Sequence, residues 1–466
     1  MSNEFHEKMK TLFTKTIHSF CDYDYKTGAE TNIYKILPEE RRDFRHYEVY
    51  SIDPDDCEDA DDAFSIYEEN EQLYLAIHIA DPTEYLFIND PLWNGMMRQS
   101  TTKYPLNAKA FHLLPHSILQ EANLKTNASY SETKNAISII TKINKSTYEC
   151  EDVPFYYFTR ITIKKENAFT YREASIMDHD VITLGLKISQ QMHTFRSTKT
   201  KGVVLNELSL SYPKFGDNGY IYLHKDAPEE RKMKQMIAEF AIFANAFVGQ
   251  YLKDHLNIGI FRTCDIGTHH FSETVTPTEM LKDIVTNKIQ ANYQSQVHAH
   301  DLVGLPEYCH FTSPMRRMSD CVCHFLLKYI HLRRKKQLPC PFDEKELDDI
   351  SQQCYHAVKQ DKKNQYLDTK FRLLQSMVCY LQTHESLKLK YYETSYTGLF
   401  LNLTICGIDE HDVYFSYTLR RKYVDFVVAQ QSQIQEVMIT KVYSGMKFDE
   451  GTIPELDRLY PPDLCI

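Results

Sequence analysis

The chain has 466 residues, of which 42% are hydrophobic and 25% charged, and a formal net charge of -11. This length exceeds what one small core supports and predicts one large domain with a small appendage, or two to three domains. No apolar run approaches the length of a transmembrane helix, so the composition predicts a soluble globular protein. We expect a cytoplasmic or nuclear location, without a secretory signal or membrane anchor.

Twelve cysteines are scattered along the chain without a C-x-x-C pair. This spacing predicts reduced thiols and argues against a disulfide framework. The negative net charge argues against a nucleic-acid partner, because phosphate binding usually leaves a basic footprint. Basic stretches at Arg333 to Lys336 and Lys359 to Lys370 could still guide RNA locally, so a nucleic-acid partner is not excluded. Such basic runs are usually solvated helix faces.

The N-terminal third of the chain predicts an arm followed by a sheet. Met1 to Tyr47 is polar, with a helical pattern from Glu4 to Phe20, and we expect it to form an arm without a core of its own. Val49 to Ala80 predicts consecutive strands. Alternating or continuous apolar residues with β-branched side chains predict further strands at 136–142 and 156–165.

The segment Ser51 to Ala63 carries the first chemical signal, because seven of the ten residues from Asp53 to Asp62 are acidic. Carboxylates crowded to about 4 Å repel by roughly 4 kcal/mol per pair near a protein surface, so a folded cluster needs a cation. The strand-like segments at 63–67 and 73–80 would pin the acids against a core. Oxygen ligands without a nearby His or Cys pair favour Mg2+ or Mn2+ over zinc.

Two other interpretations of the acidic segment are an EF-hand loop and an exposed turn without chemistry. An EF-hand loop needs a Gly at its sixth position, and this run contains none, which excludes that calcium site. An exposed acidic turn is common in proteins, but the apolar segments that follow disfavour it here. The segment therefore predicts a site for a hard divalent cation.

The second half of the chain has helical periodicity up to about Leu387 and strand-like runs after Lys388. Apolar residues recur at helical spacing between Pro228 and Leu252 and predict a long core helix. Asp343 to Leu387 predicts one or two further long helices. After Lys388 the chain consists of short β-rich runs separated by turns, which predict a small barrel-like domain. Together these elements predict an α+β fold.

The segment Phe311 to Arg317, F-T-S-P-M-R-R, gives a second and independent signal. The Thr-Ser pair before Pro314 can cap a helix, and proline suits the first helical turn. Arg316 and Arg317 then fall at the positive end of the helix dipole, which is unfavourable unless they share an anion. We expect Arg316 to bind such an anion; the competing interpretation is a salt bridge from one of the two arginines to Asp320.

Two motifs together resemble the ribonuclease II (RNB) family of 3′-to-5′ exoribonucleases. The first is I-D-P-x-x-C-x-D-x-D-D-A at 52–63, followed by H-I-A-D-P-T at 78–83. The second is F-T-S-P-M-R-R at 311–317, and the separation of the two blocks also matches the family. The resemblance spans about Glu48 to Ser386.

The resemblance implies a domain organisation. Residues 48–387 would form an RNB-type catalytic domain, with a mixed β-sheet and helices around an RNA channel. Residues 1–47 would form the N-terminal arm. Residues 388–466 would form a small β-rich domain, which resembles the family's OB-type barrel by position and strand rhythm.

The resemblance also implies catalytic roles. Asp53, Asp59 and Asp62 would hold Mg2+, or Mn2+ in its place. Asp61 would position the attacking water or the 3′-terminal ribose. Arg316 would stabilise the charge that develops on the scissile phosphate.

The resemblance also implies that Tyr104 in S-T-T-K-Y-P, Tyr171 in F-T-Y-R-E-A and Arg317 bind RNA. Stacking on an aromatic ring contributes roughly 1 to 3 kcal/mol per base and tolerates any base. In a chain with 32 tyrosines, a Tyr packed under a loop is the ordinary alternative.

Some residues depart from the family pattern, among them Ala238, where relatives commonly carry Glu. Asn206 stands where relatives can carry an aromatic residue, and Met318 and Phe325 replace the usual Tyr and Arg. None of these changes removes a predicted metal ligand. We expect Met318 and Phe325 to reshape the wall of the RNA channel, and Asn206 to mark a stacking partner that is lost or replaced.

The sequence thus predicts a metal-dependent hydrolytic exoribonuclease that shortens single-stranded RNA from its 3′ end to nucleoside 5′-monophosphates. We expect a monomer without a membrane partner. A catalytically silent RNB fold that binds RNA or a protein as a scaffold is the alternative from another class. A metal-dependent phosphatase or DNA nuclease is a third interpretation, supported only by the acidic cluster.

Overall fold

The structure is a computed structural model of the chain. It describes residues 32–55, 57, 59–106, 109–125, 132–199, 211–216, 221–267, 289–397, 400–420, 434–443 and 463–465. The helical pattern predicted from Glu4 to Phe20 and the β-rich run predicted from Tyr423 to Ala429 lie outside the described residues.

The described strands are β1 (Arg42–Asp43), β2 (Ser51–Asp53), β3 (Asp62–Glu69), β4 (Gln72–Ala80), β5 (Lys134–Ile143), β6 (Cys150–Ile161), β7 (Ala168–Thr170), β8 (Tyr212–Phe215), β9 (Ile221–His224), β10 (Phe261–Thr263), β11 (Asn292–Gln294), β12 (Leu387–Thr397), β13 (Phe400–Ile408), β14 (His411–Arg420), β15 (Gln435–Ile439), β16 (Lys441–Tyr443) and β17 (Asp463–Cys465). The described α-helices are α1 (Pro91–Gln99), α2 (His116–Ala122), α3 (Tyr171–Ile176), α4 (Asp180–Lys199), α5 (Pro228–Leu256), α6 (Met318–Leu332) and α7 (Glu344–Tyr380).

A mixed sheet in the order β1-β6-β5-β4-β3 organises the larger part of the chain. The strands from β3 to β6 pair antiparallel, whereas β1 pairs with β6 in parallel. In β4 every residue from Leu75 to Ala80 is buried, so both faces of this strand are covered. The strands predicted between Val49 and Ala80 are confirmed, and the strand predicted at 156–165 ends earlier, at Ile161.

The predicted long core helix is confirmed as α5, which packs against the sheet and against α4. The Phe240 ring of α5 lies 5.5 Å from the Phe64 ring of β3. A Cβ added at Gly185 of α4 would lie 2.8 Å from Met236 Sδ, so α4 and α5 approach each other closely here. In the described part of the chain, no helix combines the length and the apolar character that crossing a membrane requires.

Helix α7 connects the main core to a second core. It begins with a capping box in which the Asp343 side chain accepts a hydrogen bond from the Glu346 amide. Its first half contributes Leu347 to the main core, and its second half contributes Leu374 to the second core. The helix prediction that ran to Leu387 is too long, because α7 ends at Tyr380 and β12 begins at Leu387.

The C-terminal strands form an antiparallel sheet in the order β14-β13-β12-β15 around this second core. Leu389, Tyr391, Leu403 and Ile405 are buried in it. Among the described strands, β14 and β15 form the two edges. The chain therefore has the predicted α+β fold with a small β-rich C-terminal part, whereas its OB character and the boundary at residue 388 stay predictions.

The segment that precedes β2 packs into the main core. Tyr34, Ile36 and Phe44 are buried there, although they fall within the stretch predicted as the arm. Their burial joins this stretch to the core of the sheet. The predicted domain boundary at residue 47 stays a prediction.

Four buried charged side chains connect the end of β4 to α6. Arg41 Nη2 lies 2.7 Å from Asp81 Oδ2 and 2.9 Å from Glu84 Oε1. Lys328 Nζ lies 2.9 Å from Asp81 Oδ1 and also contacts Glu84 Oε1. Two cations thus balance two carboxylates in the interior, and removal of any one member would leave an uncompensated buried charge.

Lys328→Met is expected to lower the free energy of unfolding by about 3 to 5 kcal/mol, because two buried carboxylates would then share one arginine. Urea denaturation at pH 7 measures this loss. The control is Lys335→Met, which removes an exposed ion pair to Glu40 and should cost about 1 kcal/mol or less. Equal losses in the two variants would contradict the role assigned to the buried cluster.

Stability should also depend on the ionisation of Asp81. Burial alone would raise the pKa of Asp81. The charges of Lys328 and Arg41 instead hold this pKa well below its usual range. A lowered folded-state pKa stabilises the protein above the unfolded pKa of about 3.9, and this stabilisation is lost as the pH falls through the folded-state value. The stability difference between wild type and Asp81→Asn should therefore shrink below about pH 4. Urea denaturation at several pH values tests this, and a pH-independent difference would contradict it.

Candidate active site

The acidic segment runs from the end of β2 to the start of β3. Asp53 is the last residue of β2, and Asp62 is the first residue of β3. β2 pairs in parallel with β7, and the amides and carbonyls of Tyr50 and Phe64 form reciprocal hydrogen bonds of 2.8 Å. Ile52 is buried beside Asp53. Both ends of the acidic loop are thus fixed by backbone pairing and burial, as the apolar flanks predicted.

Asp61 connects the acidic segment to the second sequence motif. Its Oδ1 accepts a hydrogen bond of 2.9 Å from the Met315 amide, and its Oδ2 lies 3.3 Å from Arg316 Nε. Burial raises the pKa of Asp61 well above its usual value, while the charge of Arg316 and the Met315 hydrogen bond act in the opposite direction. The acidic segment and the F-T-S-P-M-R-R segment, which gave independent sequence signals, therefore meet at the Asp61 carboxylate.

Two other carboxylates of the segment have oxygens without hydrogen-bond partners. Asp53 Oδ2 and Asp59 Oδ2 are buried and accept no hydrogen bond from the described residues. Asp59 Oδ2 lies 3.4 Å from His112 Nδ1, and Asp53 Oδ1 lies 3.7 Å from Cys57 Sγ. Buried carboxylate oxygens are costly unless they are paired or coordinate a metal. These two oxygens therefore fit a hard divalent cation.

The aspartates also influence one another electrostatically. Burial, and after it the charge of Asp53, raises the pKa of Asp62 to about 7. Burial is also the main cause of the raised pKa of Asp53, to which the charge of Asp59 adds. Each carboxylate thus lies in the field of another, which is the repulsion expected of a crowded acidic site.

The four aspartates do not form a compact ligand set in this structure. Within the described residues, the ligand atoms of His224, Asp226 and Glu230 are the ones that lie within 4.8 Å of one another. Lys234 Nζ already lies 2.8 Å from Asp226 and 3.4 Å from Glu230. Lys234 therefore already neutralises part of this second group, and the described acids of the segment 53–62 do not come as close together.

The two tyrosines predicted to bind RNA both lie within the electrostatic field of the aspartates. Desolvation, and after it the Asp59 carboxylate, raises the pKa of Tyr104, which is 43% exposed. Desolvation, and after it the charges of Asp62 and Asp53, raises the pKa of Tyr171 at the start of α3. The structure therefore brings both rings to the region of the acidic segment.

The helix start predicted within the segment F-T-S-P-M-R-R, at Pro314, is wrong. Helix α6 begins at Met318 rather than at Pro314, and Arg317 precedes it in an extended conformation with φ -136° and ψ 127°. The cause is pairing with a distant segment: the Thr102 amide donates to the Arg316 carbonyl, and the Met318 amide donates to the Ser100 carbonyl. This backbone pairing displaces the helical turn that proline and its neighbours predict.

The two arginines of the motif have different partners. Arg317 Nη2 lies 2.8 Å from Asp320 Oδ1, so the competing interpretation of a local salt bridge is correct for Arg317. Arg316 instead reaches Asp61, and its Nη2 donates a hydrogen bond of 3.0 Å to Ser313 Oγ. Its side chain remains 46% exposed, which leaves it accessible to a ligand.

Neighbouring residues of the second motif have structural partners. The Asn245 side chain accepts hydrogen bonds from the Phe311 and Thr312 amides, and His324 Nε2 lies 3.0 Å from the Phe311 carbonyl. Met318 and Phe325 are fully buried, so these departures from the family pattern act through packing. The third departure, Asn206, lies outside the described residues.

A cavity of about 260 Å³ adjoins Arg316. Its lining residues are Thr101, Thr102, Tyr104, Arg262, Tyr293, His310, Arg316, Arg317, Val358, Asp361, Lys362 and Gln365. Sequence analysis missed Arg262 and His310 in the cavity and His112 beside Asp59. Neither motif contains them, and their spacing in the chain carries no signal.

Comparisons with known proteins find a family model and several relatives. The RNB domain family model matches residues 41–332. The mitochondrial exoribonuclease II of Saccharomyces cerevisiae is 24% identical over 358 residues, which cover 67% of this chain and 36% of that protein. The chain thus matches about a third of the length of this relative.

Two solved structures have similar folds. Mycoplasma genitalium RNase R in complex with ribose-methylated single-stranded RNA gives a TM-score of 0.74 at 15% identity and covers 98% of this chain and 77% of that one. Yeast Ssd1, described as a pseudonuclease, gives a TM-score of 0.63 at 17% identity and covers 89% of this chain and 55% of that one. At such identities the likeness shows the fold alone.

The residues matched by the family model include the acidic segment, the central sheet and the turn that carries Arg316. They make up more than half of the chain. Both motifs predicted from the sequence lie within them and meet at Asp61. The chain therefore belongs to the RNB domain family.

Proposed function

We propose that this chain is a metal-dependent hydrolytic 3′-to-5′ exoribonuclease that degrades single-stranded RNA to nucleoside 5′-monophosphates. The observation that carries the proposal is the meeting of Asp61 with Arg316, in the same segment as buried oxygens of Asp53 and Asp59 that accept no hydrogen bond from the described residues. The arrangement offers oxygen ligands for a cation next to a guanidinium for a phosphate. The similarity to the mitochondrial exoribonuclease II of yeast also supports exoribonuclease activity.

In this proposal Asp53, Asp59 and Asp62 hold Mg2+, with Mn2+ as the alternative ion. A divalent cation bound there supplies charge neutralisation at the scissile phosphate and lowers the pKa of water. Asp61 orients the attacking water or the 3′-terminal ribose, because the Met315 amide fixes its carboxylate. Arg316 stabilises the negative charge on the phosphate.

RNA would be held by stacking and by charge. Tyr104 and Tyr171 would stack on bases, which suits an enzyme that accepts any sequence. Arg317 would contribute positive charge beside Arg316, although its salt bridge to Asp320 already offsets part of that charge. The RNase R structure with bound single-stranded RNA supports RNA as the partner.

The wider organisation of the protein also belongs to the proposal. Residues 48–387 would act as the catalytic domain, preceded by the arm at 1–47 and followed by the β-rich domain at 388–466. The protein would be a monomer in the cytoplasm or the nucleus. Because the chain matches only 36% of the yeast relative, the substrates and partners of that protein are not transferred to this chain.

A catalytically silent RNB fold is the second candidate. It is favoured by the similarity to yeast Ssd1, a pseudonuclease. Loss of the acidic residues would be the sequence mark of such a protein, and this chain retains Asp53, Asp59, Asp61 and Asp62. We therefore favour the active enzyme.

Metal binding should be visible in protein stability without any measurement of activity. In EDTA, Asp53→Asn should unfold at the same temperature as wild type or higher, because it removes an unpartnered buried carboxylate. Mg2+ should raise the unfolding temperature of wild type and raise that of Asp53→Asn less. Asp43→Asn, which changes an exposed carboxylate paired with Arg45, is the control and should keep the full Mg2+ effect. An equal Mg2+ effect in wild type and Asp53→Asn would contradict the assigned ligand.

Activity is tested with end-labelled single-stranded RNA resolved on a gel over time. Wild type with Mg2+ should shorten the RNA from its 3′ end to mononucleotides, and EDTA should abolish this. Asp61→Asn and Arg316→Gln should each reduce the rate about 100-fold or more, because each loses a group placed at the reacting phosphate. Asp152→Asn, in an exposed ion pair with Lys142, should retain the wild-type rate.

Intact RNA after incubation of folded wild type with Mg2+ or Mn2+ would overturn the exoribonuclease proposal. Slower migration of the same RNA in a native gel would then support the silent RNA-binding fold.

A further inference from the structure

His112 lies outside both sequence motifs and beside Asp59 of the acidic segment. Its Nδ1 lies 3.4 Å from Asp59 Oδ2. This Asp59 oxygen is buried and accepts no hydrogen bond from the described residues, so its contact with His112 is not a hydrogen bond. With metal-ligand bonds of about 2.1 Å, neighbouring ligand atoms on one ion lie roughly 3.0 to 3.4 Å apart. The nitrogen and the oxygen therefore have the separation of two ligands of one cation.

Backbone contacts on both sides hold His112 in this position. Lys103 and Phe111 exchange two backbone hydrogen bonds, of 3.0 and 2.8 Å. On the other side, the Leu113 amide donates a hydrogen bond of 3.0 Å to Thr102 Oγ1, and the Leu113 side chain is buried. His112 thus stands between two fixed residues, and the fold rather than chance brings its ring to the acidic segment.

Asp59 is held from the other direction by the chain that follows α2. The Ala60 amide donates a hydrogen bond of 3.0 Å to Asn123 Oδ1, and the Leu124 amide donates one of 3.2 Å to the Ala60 carbonyl. Ala60 and Leu124 are buried. The side chains of His112 and Asp59 are 21% and 11% exposed, which leaves an entry path for an ion. The pair is therefore preorganised and accessible.

We propose that His112 supplies a nitrogen ligand to a dication held by Asp59, and that it thereby makes the candidate active site select Mn2+ over Mg2+. The inference rests on the proposed function, which assigns a cation to the aspartates and leaves both ions open. Mg2+ is a hard cation that takes oxygen ligands, whereas an imidazole nitrogen favours transition metals. An imidazole beside the carboxylates therefore shifts the preference of the site toward Mn2+.

The ligand set at this pair does not favour zinc. No third ligand atom from a described His, Cys, Asp or Glu lies within 4.8 Å of both His112 Nδ1 and Asp59 Oδ2. Zinc sites usually combine three or four protein ligands. Octahedral dications that are bound by one or two protein ligands commonly retain several waters, which can fill the remaining positions.

The test measures metal binding without RNA, so that it does not depend on catalysis. Mn2+ binding is titrated by the electron paramagnetic resonance signal of free Mn2+, and Mg2+ binding by isothermal titration calorimetry. Pulsed electron paramagnetic resonance of the bound Mn2+ then detects a directly coordinated nitrogen nucleus. Wild type should bind Mn2+ more tightly than Mg2+ and should show this nitrogen coupling.

Two substitutions remove the nitrogen in different ways. His112→Phe keeps a planar ring, and His112→Asn offers an amide oxygen near the position of Nδ1. His112→Phe should weaken Mn2+ binding at least about tenfold, a loss that removal of a residue supporting a metal site typically causes. His112→Asn should keep Mg2+ binding and lose the preference for Mn2+. The nitrogen coupling should disappear in both variants.

Two other histidines provide controls. His116→Asn is the matched control, because His116 is exposed at the start of α2. His224→Asn tests the second group of candidate ligands, in which His224 accompanies Asp226 and Glu230. Both variants should keep the Mn2+ affinity and the nitrogen coupling of wild type. Coupling that is lost in His224→Asn but retained in His112→Phe would overturn the inference, because Mn2+ would then bind at the second group.

Mn2+ bound to wild type without nitrogen coupling would overturn this inference alone and leave the exoribonuclease proposal standing. An unchanged preference for Mn2+ in both His112 variants would do the same. Failure of folded wild type to bind either ion would overturn the inference and the metal-dependent function together. Nitrogen coupling from His112 in a protein that never shortens RNA would support the ligand and sink the exoribonuclease proposal.

Discussion

The Met315 amide donates a hydrogen bond to Asp61 and thereby joins two segments that are 254 positions apart in the chain. Each segment is itself fixed by backbone pairing. The Asp61 carbonyl accepts from the Ala80 amide at the end of β4, and the Arg316 carbonyl accepts from the Thr102 amide. The carboxylate and the guanidinium therefore meet because the sheet and the turn position their backbones. A site built in this way is preorganised, which electrostatic catalysis requires.

Charge is distributed unevenly around Arg316. Toward the acidic segment, buried carboxylate oxygens of Asp53 and Asp59 accept no hydrogen bond from the described residues. In the adjoining cavity, Arg262, Arg316 and Lys362 supply positive charge, and the carboxylate of the lining residue Asp361 is paired with Lys103. The net charge of -11 therefore says little about RNA binding, because local imbalance decides which ligands bind.

The same chain shows how buried charges are handled when they serve only stability. In the cluster of Arg41, Asp81, Glu84 and Lys328, every charge has an oppositely charged neighbour. No ligand is required there, and the cluster anchors the end of β4 to α6. The contrast between this balanced cluster and the acidic segment, where buried oxygens of Asp53 and Asp59 accept no hydrogen bond from the described residues, is the physical basis for proposing a cation there.

The sequence by itself determined the local elements and the chemistry of the motifs. Apolar periodicity predicted β3, β4 and α5 because burial on a regular face leaves a regular pattern. The crowded acids predicted a cation site, and the two motifs predicted the RNB family. By contrast, the true start of α6 depends on backbone pairing with the distant residues Ser100 and Thr102. No local pattern could therefore predict it.

Only the tertiary structure decided which side chains are paired and which are not. It assigned Arg317 to Asp320 and Arg316 to Asp61, a choice that the spacing of the motif left open. It also brought Arg262 and Lys362 to one cavity, although neither lies in a motif. Whether a buried charge is balanced depends on neighbours that folding brings from elsewhere in the chain. Sequence order does not encode that information locally, so it appears only when the chain is folded.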